Sequence, residues 1–106
     1  MIFARNPSIT PDQAAARLAH RQLVLVDVRQ AFEVERGRIH GTIHIPLGEL
    51  RGRLPELDRD RPIAFLRHSG ARSSRATGIA IKAGYDAVNV RGGMIAWRRA
   101  GLPLAP

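Results

Sequence analysis

Cysteine is absent from this 106-residue chain, and that absence removes more chemistry than any other feature of the composition. Without thiols the chain forms no disulfide, holds no cysteine-ligated zinc, carries no thioether-linked haem and supplies no thiolate nucleophile. Aromatic residues are scarce, at one Trp, one Tyr and three Phe. No stacking set or recognised motif lies beside the basic residues, which disfavours nucleic acid as a partner. Long apolar runs are missing too. None exceeds four residues, as in Leu23 to Val26, Ile63 to Leu66 and Met94 to Trp97, whereas a membrane helix needs about 20. The segment from Met1 to Pro7 puts no charged leader ahead of an apolar core, so the expectation is a cytoplasmic protein that does not engage a membrane.

What is present is a normal apolar fraction and an excess of arginine. With 44% hydrophobic and 25% charged residues, the composition is that of an ordinary globular protein. The length suits one domain over residues 1–106. Lys plus Arg number 17 against 9 Asp plus Glu, for a net charge of +8, and all but Lys82 of the basic residues are Arg. The excess is uneven: the chain through Leu66 carries ten basic and eight acidic residues, while Arg67 to Pro106 carries seven basic residues and only Asp86 against them. From Arg51 to Arg61 the two signs interleave, as on a solvated face.

Along the chain, apolar periodicity and turn residues alternate strands with helices. Thr10-Pro11-Asp12-Gln13 predicts a helix start, with Thr as N-cap, Pro at the first helical position and Gln placed to close a capping box. Leu23 to Val28 is nearly continuous apolar sequence, as expected of a strand covered on both faces. A short helix over 31–36, a turn at Gly37 and a β segment at Ile43 to Ile45 follow. The spacing of Leu47, Leu50 and Leu54 predicts a helix that ends before Pro55. Pro62 to Leu66 reads as a second buried strand, Ser73 to Ala83 as a helix stopped by Gly84, and Ala87 to Val90 as a further strand. Gly92-Gly93 leads into a last helix ended by Gly101 and Pro103. This alternation predicts an α/β fold with a mainly parallel sheet.

In such sheets ligands gather at the carboxyl ends of the strands. The loop Arg67-His68-Ser69-Gly70-Ala71-Arg72 joins a strand to a helix, and there backbone N–H groups, the helix dipole and two arginines would cradle an anion. The plain alternative is a strand-to-helix connection with exposed arginines. Ser69 beside His68 suggests a nucleophile and base, but near-neighbours on a tight loop rarely converge, and no third orienting group is evident. His40 and His44, if extended, stand about 13 Å apart, too far to share a metal ion. With His20 and His68 distant in sequence, the histidines read as structural or surface residues, and neither metal nor cofactor is expected. Asp27, Arg29 and Glu33 at the end of the first buried strand read as a structural network locking loops together rather than as acid–base machinery. Met94 and Trp97, three apart on a helix, read as core.

Four segments of the chain resemble the rhodanese-like, or thiosulfate sulfurtransferase, domain family. They are Leu25-Val26-Asp27-Val28-Arg29 with Glu33; Gly37-Arg38-Ile39-His40-Gly41-Thr42-Ile43-His44-Ile45-Pro46; the loop from Arg67 to Ser73; and Gly84-Tyr85-Asp86 followed by Val90 to Trp97 and Gly101-Leu102-Pro103. The resemblance implies a three-layer α/β fold, a central mainly parallel sheet flanked by helices. In that family the loop reads Cys-x-x-Gly-x-Arg-Ser. Gly70, Arg72 and Ser73 hold the later places, so Arg67 stands where the resemblance puts the nucleophilic cysteine. Active members attack the outer sulfur of a donor such as thiosulfate, become a persulfide and pass that sulfur on. A guanidinium cannot do this, being protonated at any accessible pH with no electron pair to give.

The leading expectation is therefore a rhodanese-like domain without sulfurtransferase activity. Residues Arg67, His68, Ser69, Gly70, Ala71, Arg72 and Ser73 would bind sulfate, thiosulfate, phosphate or an acidic protein partner. One alternative is a sulfurtransferase whose parent sequence has cysteine at 67. Another is a basic adaptor for nucleic acid or an acidic protein.

Overall fold

Thr10 caps the first helix as its sequence dictates. Its hydroxyl accepts from the Gln13 N–H at 3.1 Å, and the Gln13 side chain accepts from the Thr10 N–H at 3.0 Å, satisfying two donors that the helix start would otherwise leave open. The computed structural model describes residues 7–69 and 75–106. In these, five strands, β1 (Ser8–Ile9), β2 (Val24–Asp27), β3 (Ile43–His44), β4 (Ile63–Leu66) and β5 (Ala87–Val90), alternate with five helices. The helices are α1 (Pro11–Ala19), α2 (Ala31–Glu35), α3 (Leu50–Arg53), α4 (Arg75–Lys82) and α5 (Gly93–Arg99). All strand pairs are parallel, in the order β1-β5-β4-β2-β3. The expected α/β fold is what the chain adopts.

The apolar runs of β2 and β4 are explained by burial on both sides. Val24, Val26, Ile63 and Phe65 face one core with Leu50 and Leu54 of the α3 region and Ala76 and Ala80 of α4. Leu25, Ala64 and Leu66 face the other, with Ala14 of α1 and Met94 and Trp97 of α5. Successive residues of a strand thus feed opposite layers. Trp97 and Met94 are core residues, 2% and 1% exposed.

Two expectations need correction, and the extended path supposed for His40 to His44 is not found. The helix expected to stop before Pro55 continues past it: the path from Leu47 to Glu56 is a 3-10 turn, one α-turn and a second 3-10 turn over Leu54–Glu56. Pro55 sits in the opening of that last turn, where a helical N–H has no partner to lose. His40 to His44 is not extended, because the chain turns at His40 and Gly41, with Gly41 at φ +86°. Finally β1, absent from the expected elements, forms where Ser8 and Ile9 pair with Asn89 and Val90 of β5. The expected start of α4 at Ser73 lies outside the described residues. Among the described residues, no helix is long and apolar enough to cross a membrane.

Candidate functional site

At the C-terminal edge of the sheet, β2, β4 and β5 are each followed by an arginine one or two residues later. Arg29 follows β2, Arg67 follows β4 and Arg91 follows β5. Their situations differ. Arg29 is 4% exposed and Asp27 fully buried; the guanidinium donates from Nε to Asp27 Oδ1 at 3.0 Å and from Nη2 to Oδ2 at 2.8 Å. The Arg29 Nη2 also donates to the Gly37 carbonyl at 2.8 Å, and Nη1 to the Glu33 carbonyl at 3.3 Å. Glu33 therefore meets Arg29 through its backbone. Its carboxylate instead accepts from the Gln30 N–H at 3.0 Å, capping α2. This carboxylate–guanidinium pair is spent on holding β2, α2 and the Gly37 turn together.

Among the described residues, neither Arg67 nor Arg91 has a carboxylate partner. The ion pairs among the described residues engage only Arg29 and Arg53 on the basic side. Arg67 is half-buried and Arg91 exposed, the latter donating to the Ser8 hydroxyl at 3.1 Å. Since β4 and β5 are adjacent and in register at Phe65 and Asn89, the two guanidinium-bearing positions leave the sheet side by side. Arg91 went unremarked as a site residue in the sequence, although the Gly92-Gly93 pair behind it marks the same turn.

That turn positions the segment after β4. Gly92 caps α5 at φ +76°, and a Cβ there would lie 2.5 Å from the Ala96 Cβ, so only glycine lets α5 start in this direction. The Met94 N–H then donates to the Arg67 carbonyl at 2.8 Å and the Ile95 N–H to the His68 carbonyl at 3.1 Å. Two orphan donors of the α5 start are satisfied by the candidate loop itself. His68 and Ser69 are exposed. Gly70, Ala71, Arg72 and Ser73, the rest of the candidate loop, lie outside the described residues.

His44 is partly buried, with Nε2 2.8 Å from the Arg29 carbonyl, to which it must donate. Among the described residues no three of His, Cys, Asp and Glu are placed to hold a metal ion. The chemistry open to this edge is cationic: it can attract and orient an anion, and no thiol is present to form a covalent adduct with one.

Comparison with known proteins places this arrangement. A sulfurtransferase of Allochromatium vinosum is 37% identical over 98 residues, which span 91% of this chain and 92% of that protein. The HTH-type transcriptional regulator Rv0324 of Mycobacterium tuberculosis is 39% identical over 99 residues, 92% of this chain but 44% of the regulator. Among solved structures, a rhodanese-related protein from Thermoplasma volcanium superposes with a TM-score of 0.86 at 31% identity, covering 93% of this chain and 97% of the other. The model of the rhodanese-like domain matches residues 10–100, from the Thr10 cap to the end of α5, and the chain belongs to that family as a member without a cysteine.

Proposed function

We propose that this chain is a binding module on a sulfurtransferase scaffold. It would hold a small anion such as sulfate, thiosulfate or phosphate, or an acidic side chain of a protein partner, at the C-terminal edge of the sheet, and it does not transfer sulfur. The observation that carries this reading is the arginine at 67, in the place of the family's nucleophile, in a chain with no cysteine anywhere. A guanidinium there offers directional donors to the same kind of oxyanion that a sulfurtransferase receives as substrate. Arg91 beside it adds a second positive charge, and neither has a carboxylate partner among the described residues. A regulatory role draws support from one relative in particular, the transcriptional regulator in which the matched region is less than half of the protein.

A thiosulfate:cyanide assay on this chain and on Arg67→Cys, together with sulfate and phosphate titrations followed by NMR, tests the reading. Expected are no turnover by the parent and amide shifts at Arg67, His68 and Arg91 that saturate with anion. Turnover that appears only in Arg67→Cys would indicate a scaffold still competent for sulfur transfer, as in a sulfurtransferase whose parent sequence has cysteine at 67. Turnover by the parent refutes the proposal, as does the absence of any anion-induced shift at these residues. Binding of nucleic acid that weakens steeply with salt would favour a basic adaptor instead.

A further inference from the structure

A groove of about 730 Å³ lies on the α1/α5 face of the sheet, within the size range of small-molecule sites. It is remote from the Arg67 edge. Its basic residues, Arg21 and Arg61, precede β2 and β4, so they stand at the N-terminal ends of strands whose C-terminal ends carry the candidate anion site. The groove exists because small residues line it: Ala15 and Ala19 on α1 and Gly41 in the turn before β3, where a Cβ would meet nothing within 4 Å. Its deepest lining is apolar, with Leu23, Ile39 and Trp97 each at most 3% exposed, and the edge-strand residue Ile43, 41% exposed, also lines it.

The two arginines at its rim are held by unusual means. After α1 the Gln22 N–H donates to the Arg17 carbonyl at 2.7 Å and the Arg21 N–H to the Leu18 carbonyl at 3.1 Å. This is the bond pattern of a helix end whose left-handed residue is normally glycine. Here that residue is Arg21, at φ 56°, and it is the only non-glycine with positive φ among the described residues. The chain thus carries backbone strain at a position where glycine would carry none. The Arg21 carbonyl in turn accepts from Arg61 Nη2 at 2.9 Å, a bond that fixes the second guanidinium through one of its five donors. Neither arginine has a carboxylate partner among the described residues.

We infer that this groove binds an amphipathic carboxylate, an aliphatic acid of medium chain length. Its tail lies against Leu18, Ala19 and Pro103, the apolar lining with accessible surface, over the buried floor of Leu23, Ile39 and Trp97, and its head is held by Arg21 and Arg61. Charge selects the head and the apolar lining selects the tail. The strained arginine is explained by the head: glycine would make a better helix end but would remove a ligand.

Because Trp97 is the chain's one tryptophan and lines the groove, its fluorescence reads occupancy directly. Titration with octanoate, decanoate and dodecanoate is expected to saturate, each added methylene tightening binding by about fourfold until the groove is full. Arg61→Gln is expected to weaken decanoate about tenfold and leave decanol unaffected. Arg21→Gly is expected to melt about 4 °C higher, through relief of the backbone strain, and yet to bind decanoate about tenfold more weakly. Ala19→Phe, which fills the groove from the exposed end of α1, abolishes binding. Arg67→Cys leaves it intact, so failure of the anion site and failure of this groove are separately visible. The inference is overturned by any of four results: no saturable response up to about 1 mM ligand, equal binding of decyltrimethylammonium, undiminished affinity in either arginine variant, or loss of binding in Arg67→Cys.

Discussion

Replacing Arg29 by methionine isolates the contribution of the buried pair at the end of β2. The variant removes the three side-chain hydrogen bonds to the Asp27 carboxylate, at 3.0, 3.1 and 2.8 Å, and leaves that carboxylate fully buried with the backbone N–H of residue 29, at 3.1 Å, as its remaining donor among the described residues. The carbonyls of Glu33 and Gly37 also lose a donor. They belong to half-buried residues, and water takes over much of that role. The stranded charge is the larger effect. Breaking a buried ion pair from one side costs about 3–5 kcal/mol, a large share of a typical total of about 5–15 kcal/mol. In thermal terms that is a fall in Tm of roughly 12–20 °C for a domain near this size. Urea unfolding followed by Trp97 fluorescence measures it, with Asp27→Leu/Arg29→Met alongside. The double variant removes both charges and is expected to recover at least half of the loss, since a buried pair is often no better than apolar residues of similar volume. A loss below about 1 kcal/mol in Arg29→Met, the range of an exposed ion pair, would refute the reasoning, as would a double variant less stable than the single one.

Tyr85→Phe removes the 2.7 Å hydrogen bond from the buried hydroxyl to the Leu54 carbonyl, and a loss of about 1–3 kcal/mol is expected as a lower urea midpoint at unchanged slope. Gly92→Ala forces a side chain at φ +76° to within 2.5 Å of the Ala96 Cβ. The expected cost is about 1–3 kcal/mol, with faster amide exchange at Met94 and Ile95, whose N–H groups bond the Arg67 and His68 carbonyls. On the surface, the hydrogen bond from Arg53 holds the Glu56 carboxyl below its ordinary range. Its small stabilisation is therefore complete above that range and lost as pH falls through the lowered value. A carboxyl-carbon NMR titration is expected to show Glu56 returning to the ordinary range in Arg53→Gln.

Features of this fold decided by near neighbours were legible in the sequence, and those decided across the chain were not. The Thr10–Gln13 box is four residues long, and the runs of β2 and β4 announce burial on both faces without reference to any partner. The Asp27–Arg29 pair spans two residues and reads as structural from the sequence, though nothing there shows that Glu33 would contribute its carbonyl and turn its carboxylate to capping. In contrast β1 is a strand only because Asn89 and Val90 are there to pair with it. Pro55 misled because the rule against a helix before proline concerns a continuing α-helix, and here Arg53 and Leu54 start a tighter turn afresh. Neither the adjacency of Arg67 with Arg91 nor the bond from Arg61 to the Arg21 carbonyl, 40 residues apart, leaves a local trace.

Position 67 shows why such a fold can outlast the chemistry of its family. The structural task there belongs to the backbone: the Arg67 carbonyl accepts from Met94 at 2.8 Å, a bond that any residue at 67 could make. The chemical task belongs to the side chain, which leaves the sheet after the last paired residue of β4 and contributes to neither hydrophobic core. With the two tasks on different atoms, exchanging a thiol for a guanidinium costs the fold little. It does change the sign of the charge at that position, from the thiolate of the family's motif to a guanidinium that stays protonated. The net charge of +8 suits the anion-binding role proposed above, since a positive field concentrates anions near the surface that carries it.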